Sequence, residues 1–169
     1  MNIFYLDKSP VLAARMLVDL HAKNGKMAVE MGQMMANLFD PERLAQEDCP
    51  RTATGKIRKH SYQKHPCSIW IKSSYGNFYW ALMHGMAICQ ERKFRTGKDL
   101  NGTGSFLDWV FKNLLELKFN TEIPTNPALC MPDEFKVDCP IQSYRNYYKI
   151  GKKHLHKYTK REIPSWITE

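Results

Sequence analysis

Hydrophobic residues recur at intervals of three and four along most of the chain, a spacing typical of amphipathic helices. We predict helices over residues 10–23, 26–39, 75–95, 105–119 and 141–153. The second helix has an apolar stripe made of Met27, Met31, Met34, Met35 and Leu38. Only residues 3–6 and 68–71 resemble strands, and both are too short to dominate the fold. The pattern therefore predicts a mainly α-helical protein with little or no sheet.

Residues that start and stop helices divide the chain further. Ser9 and Pro10 are typical of a helix N-terminus, where serine caps the first turn and proline takes the first helical position. Gly25 can adopt the left-handed conformation that ends a helix. Residues 49–64 show no periodicity and are rich in basic side chains, which predicts a basic loop. Repeated prolines between residues 124 and 140 predict an extended connection.

The length of 169 residues fits one compact domain, and 43% hydrophobic residues are enough for a core. The apolar runs are far shorter than the ~20 residues of a membrane-spanning helix. The first ten residues lack the apolar segment of a signal peptide. We therefore expect a single α-helical domain over residues 1–169, intracellular and without a membrane partner.

Cysteine spacing argues against a metal ribbon. The five cysteines are Cys49, Cys67, Cys89, Cys130 and Cys139. Their number is odd and no pair has C-x2-C spacing, so a zinc ribbon and a complete disulfide framework are not expected. Two carboxylates, Asp19 and Glu30, are a thin basis for a Mg²⁺ site. We predict reduced thiols, no metal and no cofactor.

Basic residues are segregated along a chain of net charge +8. No acidic residue lies between Asp48 and Glu91, or between Asp138 and Arg161. Such segregation predicts a positive face for a polyanion, and DNA is favoured over RNA. The residues predicted to bind nucleic acid are Arg58, Lys59, Asn77, Arg95, Lys98, Arg145 and Lys149. A solvated basic surface without a specific partner is the alternative.

Lys26 and Glu30 lie four residues apart, on one face of the second predicted helix. Such a pair is often an ordinary surface ion pair. It can also be a nucleophilic amine with a partnering carboxylate, if that face lines a cleft. His65 precedes Pro66 at the predicted mouth of a helix and is a candidate base beside a phosphate site. The candidate catalytic residues are thus Lys26, Glu30 and His65.

The long helix over residues 75–95 has a polar stripe. Asn77, His84, Glu91 and Arg95 fall on one face of it. Glu91 could orient Arg95 toward a phosphate through an i,i+4 pair. The alternative is a solvated face with a weak ion pair.

Several motifs together resemble a family of small, uncharacterised proteins of tailed phages. They are LDKSP, D-x-H, K-M-x-x-E-x-x-Q, K-H-P-x-x-x-W, N-x-x-W, E-x-x-x-R-x-G-K, M-P-D-E and Y-R-x-Y-Y, in this order from Asp7 to Trp166. The spacing between His21 and Lys26 is longer than that family's. The resemblance implies a phage protein that works in the cytoplasm of the host cell, and no particular activity.

A second resemblance is to the phage pyrimidine-dimer DNA glycosylases of the endonuclease V type. K-H-P, E-x-x-x-R-x-G-K, M-P-D-E-F and P-S-W follow one another as in those compact, basic, all-α enzymes. That family attacks the sugar with an N-terminal amine, beside a glutamate and arginines. Here the amine would belong to Met1, a departure from the family. Lys26 is then the better amine, with Glu30 as its carboxylate.

These observations predict a phage-type basic protein that binds DNA and acts on a base or its sugar. Cations would hold the phosphates, and aromatic side chains would support an extruded base. Two alternatives stay open. One is a non-catalytic phage protein that coats nucleic acid or blocks a host enzyme. The other is an enzyme that acts on free nucleotides.

Overall fold

The computed structural model describes residues 1–168, which form nine α-helices and no strand. The helices are α1 (Pro10–Arg15), α2 (Asp19–Lys23), α3 (Lys26–Ala36), α4 (Pro41–Ala45), α5 (Pro66–Ser73), α6 (Tyr75–Thr96), α7 (Asn101–Lys112), α8 (Pro140–Asn146) and α9 (Ser165–Thr168). The predicted mainly α-helical fold is confirmed. Helix α6 is central, because α1, α2, α3, α5 and α7 all pack against it. No helix within these residues is long and apolar enough to cross a bilayer.

Helix α3 packs closely on α6 through its methionine stripe. Four of the five predicted stripe residues are buried, namely Met27, Met31, Met34 and Met35, and Leu38 is half-buried. The two helices approach most closely at Gly85 of α6, where an added Cβ would lie 2.6 Å from Met31 Cγ. A glycine is therefore needed inside α6 despite its low helix propensity.

The single helix predicted over residues 10–23 is in fact two helices, α1 and α2. Ser9 caps α1 as predicted, with its Oγ accepting from Leu12 N. Where the helix stops, the carbonyls at its end and just beyond it bond to a side chain instead of to a next turn. The guanidinium of Arg95 donates to Arg15 O at 2.9 Å and to Leu17 O at 2.7 Å. Sequence periodicity does not reveal this tertiary contact.

Gly25 separates α2 from α3 in the left-handed conformation that was predicted, with φ of 72°. The chain turns sharply there, so that α3 can cross the core. A Cβ at this position would also lie 3.0 Å from Leu100 Cδ1. Both the backbone angle and the space therefore favour glycine.

The strand-like segments do not form strands. Residues 68–71 lie within α5. Residues 3–6 enter the core as an irregular segment, in which Leu6 N donates back to Phe4 O, and Ile3 and Leu6 are fully buried. The predicted basic loop over residues 49–64 contains no helix, as expected.

The predicted helix over residues 141–153 is also divided. Helix α8 is followed by a π-helical turn (Tyr147–Gly151) and a 3-10 turn (Lys153–Leu155). The widened turn contains Tyr148, which is fully buried and accepts a hydrogen bond from Val18 N at 2.9 Å. Beyond it, the chain returns to α2, where Lys157 O accepts from Asp19 N at 2.8 Å. This return brings the C-terminal region against the first helices.

Candidate active site at the amino-terminal segment

A cavity of about 390 Å³ lies where the first residues of the chain meet α2, the start of α3 and the π-helical turn. We call it the N-terminal cavity. It is lined by Met1, Asn2, Phe4, Leu20, His21, Asn24, Lys26, Met27, Glu30, Cys130, Tyr147 and Lys152. Its size is in the range of small-molecule sites, and it holds both apolar rings and titratable groups.

Glu30 is the one carboxylate of this cavity, and two amino groups lie beside it. The Met1 amino nitrogen is 3.9 Å from Glu30 Oε2, and Lys26 Nζ is 4.0 Å from Glu30 Oε1. Asn2 N also donates to Oε2 at 3.3 Å. The structure therefore brings the predicted Lys26 and Glu30 together, and it adds the amino group of Met1.

The two amines differ in their surroundings. The Lys26 side chain is 78% exposed and stands at the rim, whereas Met1 is packed against the protein with its side chain 3% exposed. Glu30 is also largely covered, at 14% exposure. The Met1 amino group is therefore held in a more fixed position against the carboxylate than Lys26 Nζ is.

Positive charge exceeds negative charge in the cavity. The Met1 amino group, Lys26 and Lys152 face the single carboxylate of Glu30. Lys152 Nζ lies 5.0 Å from the centre of the Tyr147 ring, which also lines the cavity. Such a balance attracts an anionic ligand, with an aromatic surface next to the cation.

His21 is held as a neutral ring in the wall. Its ring stacks on Phe4 with 4.5 Å between centroids, and its Nδ1 lies 2.7 Å from Tyr148 Oη. Tyr148 Oη already accepts from Val18 N, and a neutral ring with its proton on Nε2 would accept the tyrosine proton at Nδ1. Burial, with a smaller effect of Lys152 and Lys26, lowers the pKa of His21 to about 4.

Phe4 has a strained backbone at this site, with φ of 42° in the left-handed region. Bulky residues seldom adopt it, and the cost is of order 1–3 kcal/mol. The strain is retained where Phe4 packs between His21 and Tyr147. Strain of this kind is common at functional sites.

His65 lies near the cavity without lining it. Its Nδ1 accepts from Cys67 N at 3.1 Å, so the ring caps the N-terminus of α5. Desolvation and the Met1 ammonium lower the pKa of His65, and Glu30 opposes this shift. The third predicted catalytic residue is therefore within electrostatic range of Glu30 and of the Met1 amino group, but its Nδ1 already has a structural role.

Two of the predicted nucleic-acid-binding residues are inside the protein. Asn77 is fully buried and its amide bonds to Trp70 O, Ser73 Oγ and Thr125. Arg95 is buried between Glu91 and Asp19, at 3.1 and 3.3 Å. Neither side chain can contact a strand bound at the surface, which corrects these two predictions. The expectation of a solvated polar face on α6 fails for the same reason.

The two other predicted arginines are largely committed to the protein itself. Arg58 donates to Pro50 O and Gly102 O and lies over the Phe106 ring. Arg145 donates to Leu6 O at 3.0 Å, and a second nitrogen contacts Asp7.

The three predicted lysines stay near the surface. Lys59 and Lys98 are exposed, and Lys149 is half-buried in the π-helical turn. None of the three lines the N-terminal cavity. Lys149 is three residues before Lys152, which does line it. The cations predicted to bind nucleic acid therefore do not converge on one site. Lys149 is the one of the three lysines that lies close in sequence to a cavity residue, Lys152.

Sequence reasoning missed several cavity residues, notably Asn2, Phe4, Tyr147 and Lys152. Phe4 could have been expected in the core from the sequence. It lies in a run of four apolar residues, 3–6, that is too short to form a sheet but apolar enough to be buried. Lys152 and Tyr147 belong to the acid-free stretch between Asp138 and Arg161. Nothing in the sequence placed that segment beside the first residues.

Comparison with protein-family models, curated proteins and solved structures finds no match to this chain. The resemblances to phage proteins and to pyrimidine-dimer glycosylases therefore rest on the sequence motifs alone.

Proposed function

We propose that this protein binds DNA and acts on a base or its sugar through an amine of the N-terminal cavity. The observation that carries this proposal is the placement of two amino groups, on Met1 and Lys26, within 4.0 Å of the Glu30 carboxylate. An amine held beside a carboxylate is the arrangement that nucleophilic imine chemistry needs.

The chemistry follows from these groups. Glu30 takes a proton from the ammonium, and the amine nitrogen then bonds to C1′ of the sugar. The bond between C1′ and the base breaks, and its electron pair leaves with the base. The nitrogen loses a second proton to solvent, and the base takes one up from solvent. The nitrogen lone pair then forms the C=N bond as the bond between C1′ and the ring oxygen breaks, and Glu30 returns its proton to that oxygen, which leaves a protonated imine.

The walls of the cavity suit an extruded nucleotide. Phe4 and Tyr147 supply apolar ring surface, and Lys152 with Lys26 supplies positive charge for a flanking phosphate. A volume of about 390 Å³ is enough for a nucleotide-sized group. Because Glu30 is the single carboxylate among these residues, the net charge of the lining stays positive and favours an anion.

An enzyme that acts on free nucleotides is the second candidate. It is favoured by the burial of Arg95 and by the internal contacts of Arg58 and Arg145, which leave fewer cations for a polymer. A mononucleotide needs only two or three cations, and the cavity alone provides them.

The test is trapping of the imine with borohydride. Duplex DNA that carries an abasic site or ultraviolet lesions is mixed with the protein and reduced, and the covalent adduct is read on a denaturing gel. We expect an adduct that peptide mapping places on Met1 or Lys26. Glu30→Gln should slow its formation by about 10²–10⁴-fold, whereas Glu42→Gln, on exposed α4, should not.

The two amines are separated by two further variants. If Met1 supplies the nitrogen, the Lys26→Met variant should still form the adduct. In the same case, a variant with one additional residue before Met1 should form none. Absence of an adduct with every DNA substrate would contradict imine chemistry. Tight binding of mononucleotides without an adduct would instead support the second candidate.

A further inference from the structure

His65, Cys67 and Cys130 form a compact cluster of potential metal ligands beside the N-terminal cavity. One ligand atom from each residue lies within 4.8 Å of those of the other two. The two thiols are closest, with 3.4 Å between the sulfur atoms. Cys67 is buried, and the other two residues are half-buried.

Two distant parts of the chain build this cluster. His65 and Cys67 belong to the capped start of α5, and Cys130 comes from the extended, proline-rich connection. Asn2 Nδ2 donates to Cys130 O at 2.8 Å, which helps to fix the connection. Tyr144 also contacts it, since its hydroxyl lies 3.5 Å from Cys130 N and donates to Ala128 O. The ligand atoms are thus positioned by other contacts, without an ion.

We propose that His65, Cys67 and Cys130 bind a zinc ion. Two thiolates and an imidazole are donors that Zn²⁺ prefers, and three-ligand sites of this composition leave a fourth position for water or substrate. Tetrahedral zinc with Zn–S bonds of about 2.3 Å keeps two thiolates about 3.8 Å apart. The sulfur atoms need to separate by only about 0.4 Å from their present distance.

A disulfide fits this cluster less well. Its formation would bring the sulfur atoms to about 2.05 Å, a closure of about 1.4 Å. That closure is larger than the opening of about 0.4 Å that zinc requires. A disulfide would also leave the imidazole of His65, which lies within the same cluster, without a role.

Zinc at this position would connect α5 to the connection that carries Cys130, a lining residue of the cavity. It would therefore stiffen the wall next to Asn2 and Met1. The site stands on its own donors and does not depend on amine chemistry. Metal binding and imine trapping can accordingly succeed or fail separately.

Metal binding is tested on the full chain after reduction of its thiols and removal of metals with a chelator. Co²⁺ is added first, as a spectroscopic probe, and Zn²⁺ is then added to displace it. We expect one equivalent of Co²⁺, with a thiolate-to-cobalt charge-transfer band in the near ultraviolet and tetrahedral d–d bands. X-ray absorption of the zinc form should show two sulfur ligands and at least one nitrogen.

Variants locate the site. Cys130→Ser and His65→Asn should lose the charge-transfer band or weaken it, whereas Cys139→Ser, at an exposed cysteine outside the cluster, should keep it. The absorption spectra of the unaltered chain show whether the metal has sulfur ligands, even if a variant fails to fold. A cobalt spectrum without sulfur ligation would overturn the proposal. So would an air-formed Cys67–Cys130 disulfide in a chain that takes up no metal after reduction.

Discussion

The polar stripe of α6 and the N-terminal cavity each hold a glutamate spaced four residues from a basic residue, but the two glutamates differ in their partners. Glu91 accepts from Arg95 Nε at 3.1 Å and from two nitrogens of Arg161, with Arg161 Nε at 3.0 Å. Glu30 has only longer contacts, from 3.3 to 4.0 Å, with Asn2 and the two amines. The same sequence spacing therefore serves two different purposes.

The two regions differ in how completely their charged groups are paired. Arg95 is bonded to Glu91, Asp19 and two carbonyls, and Asp19 in turn accepts from Thr159 at 2.6 and 2.9 Å. Four of the five N–H donors of Arg95 are thus used inside the protein, which leaves this buried network little capacity for a ligand. In the cavity, positive groups outnumber the carboxylate and one of them, Lys26, reaches solvent. Incomplete pairing beside a cavity is the better sign of a functional site.

The largest expected effect comes from breaking the closed network. Arg95→Met should lower the free energy of unfolding by about 3–5 kcal/mol, because it leaves Glu91 and Asp19 buried with too few partners. Urea denaturation followed by tryptophan fluorescence measures the change. The matched control is Lys93→Met on the same helix, which removes an exposed pair with Asp99 at 3.2 Å. The control should cost no more than about 1 kcal/mol.

Equal losses for Arg95→Met and Lys93→Met would contradict the distinction between the two regions. In that case burial would not decide the energy of an ion pair in this fold.

A smaller effect should appear as a pH dependence of stability. His84 of the same stripe is fully buried against Trp80, and burial lowers its pKa to about 4. The unfolded chain takes up a proton near pH 6.5, whereas the folded chain resists until about pH 4. This stabilisation is therefore complete above pH 6.5 and is lost as the pH falls toward 4, a change of roughly 3 kcal/mol.

Unfolding free energies at several pH values between 4 and 7 measure this slope. His84→Gln should flatten it, and the slope that remains is due in part to His21, whose pKa is also about 4. An unchanged slope in His84→Gln would show that protonation of His84 does not limit acid stability.

The smallest effect on stability should come from the cavity. Glu30→Gln should change the free energy of unfolding by less than about 1 kcal/mol, because the carboxylate has no short ionic contact to lose. Thermal unfolding beside the trapping assay measures both properties of the same variant. A loss as large as that of Arg95→Met would make Glu30 a structural residue and would remove the basis for its catalytic role.

The fold was largely predictable from the sequence, because helical periodicity and end signals act locally. The methionine stripe of α3, the cap at Ser9 and the turn at Gly25 are such cases. The break between α1 and α2 was not predictable, since it depends on Arg95, about 80 residues away.

The site was predictable only in part. The spacing of Lys26 and Glu30 identified the carboxylate and one amine. The burial of Asn77 and Arg95 was missed because a polar stripe on a helix normally faces water. Here residues 159–161 supply partners to Asp19 and Glu91 around Arg95, and Thr125 of the proline-rich connection bonds to Asn77. No local pattern tells which polar stripe a distant segment will cover.

The bond between Asp19 and Thr159 spans 140 residues and therefore sets an order of events during synthesis. A growing chain that has not yet released residues 159–161 carries Glu91 without Arg161 and Asp19 without Thr159. Until those residues are present, Glu91 keeps Arg95 as a partner, and Asp19 keeps Arg95 and Lys23. We therefore expect this part of the core to gain its final contacts only after residues 159–161 have left the ribosome.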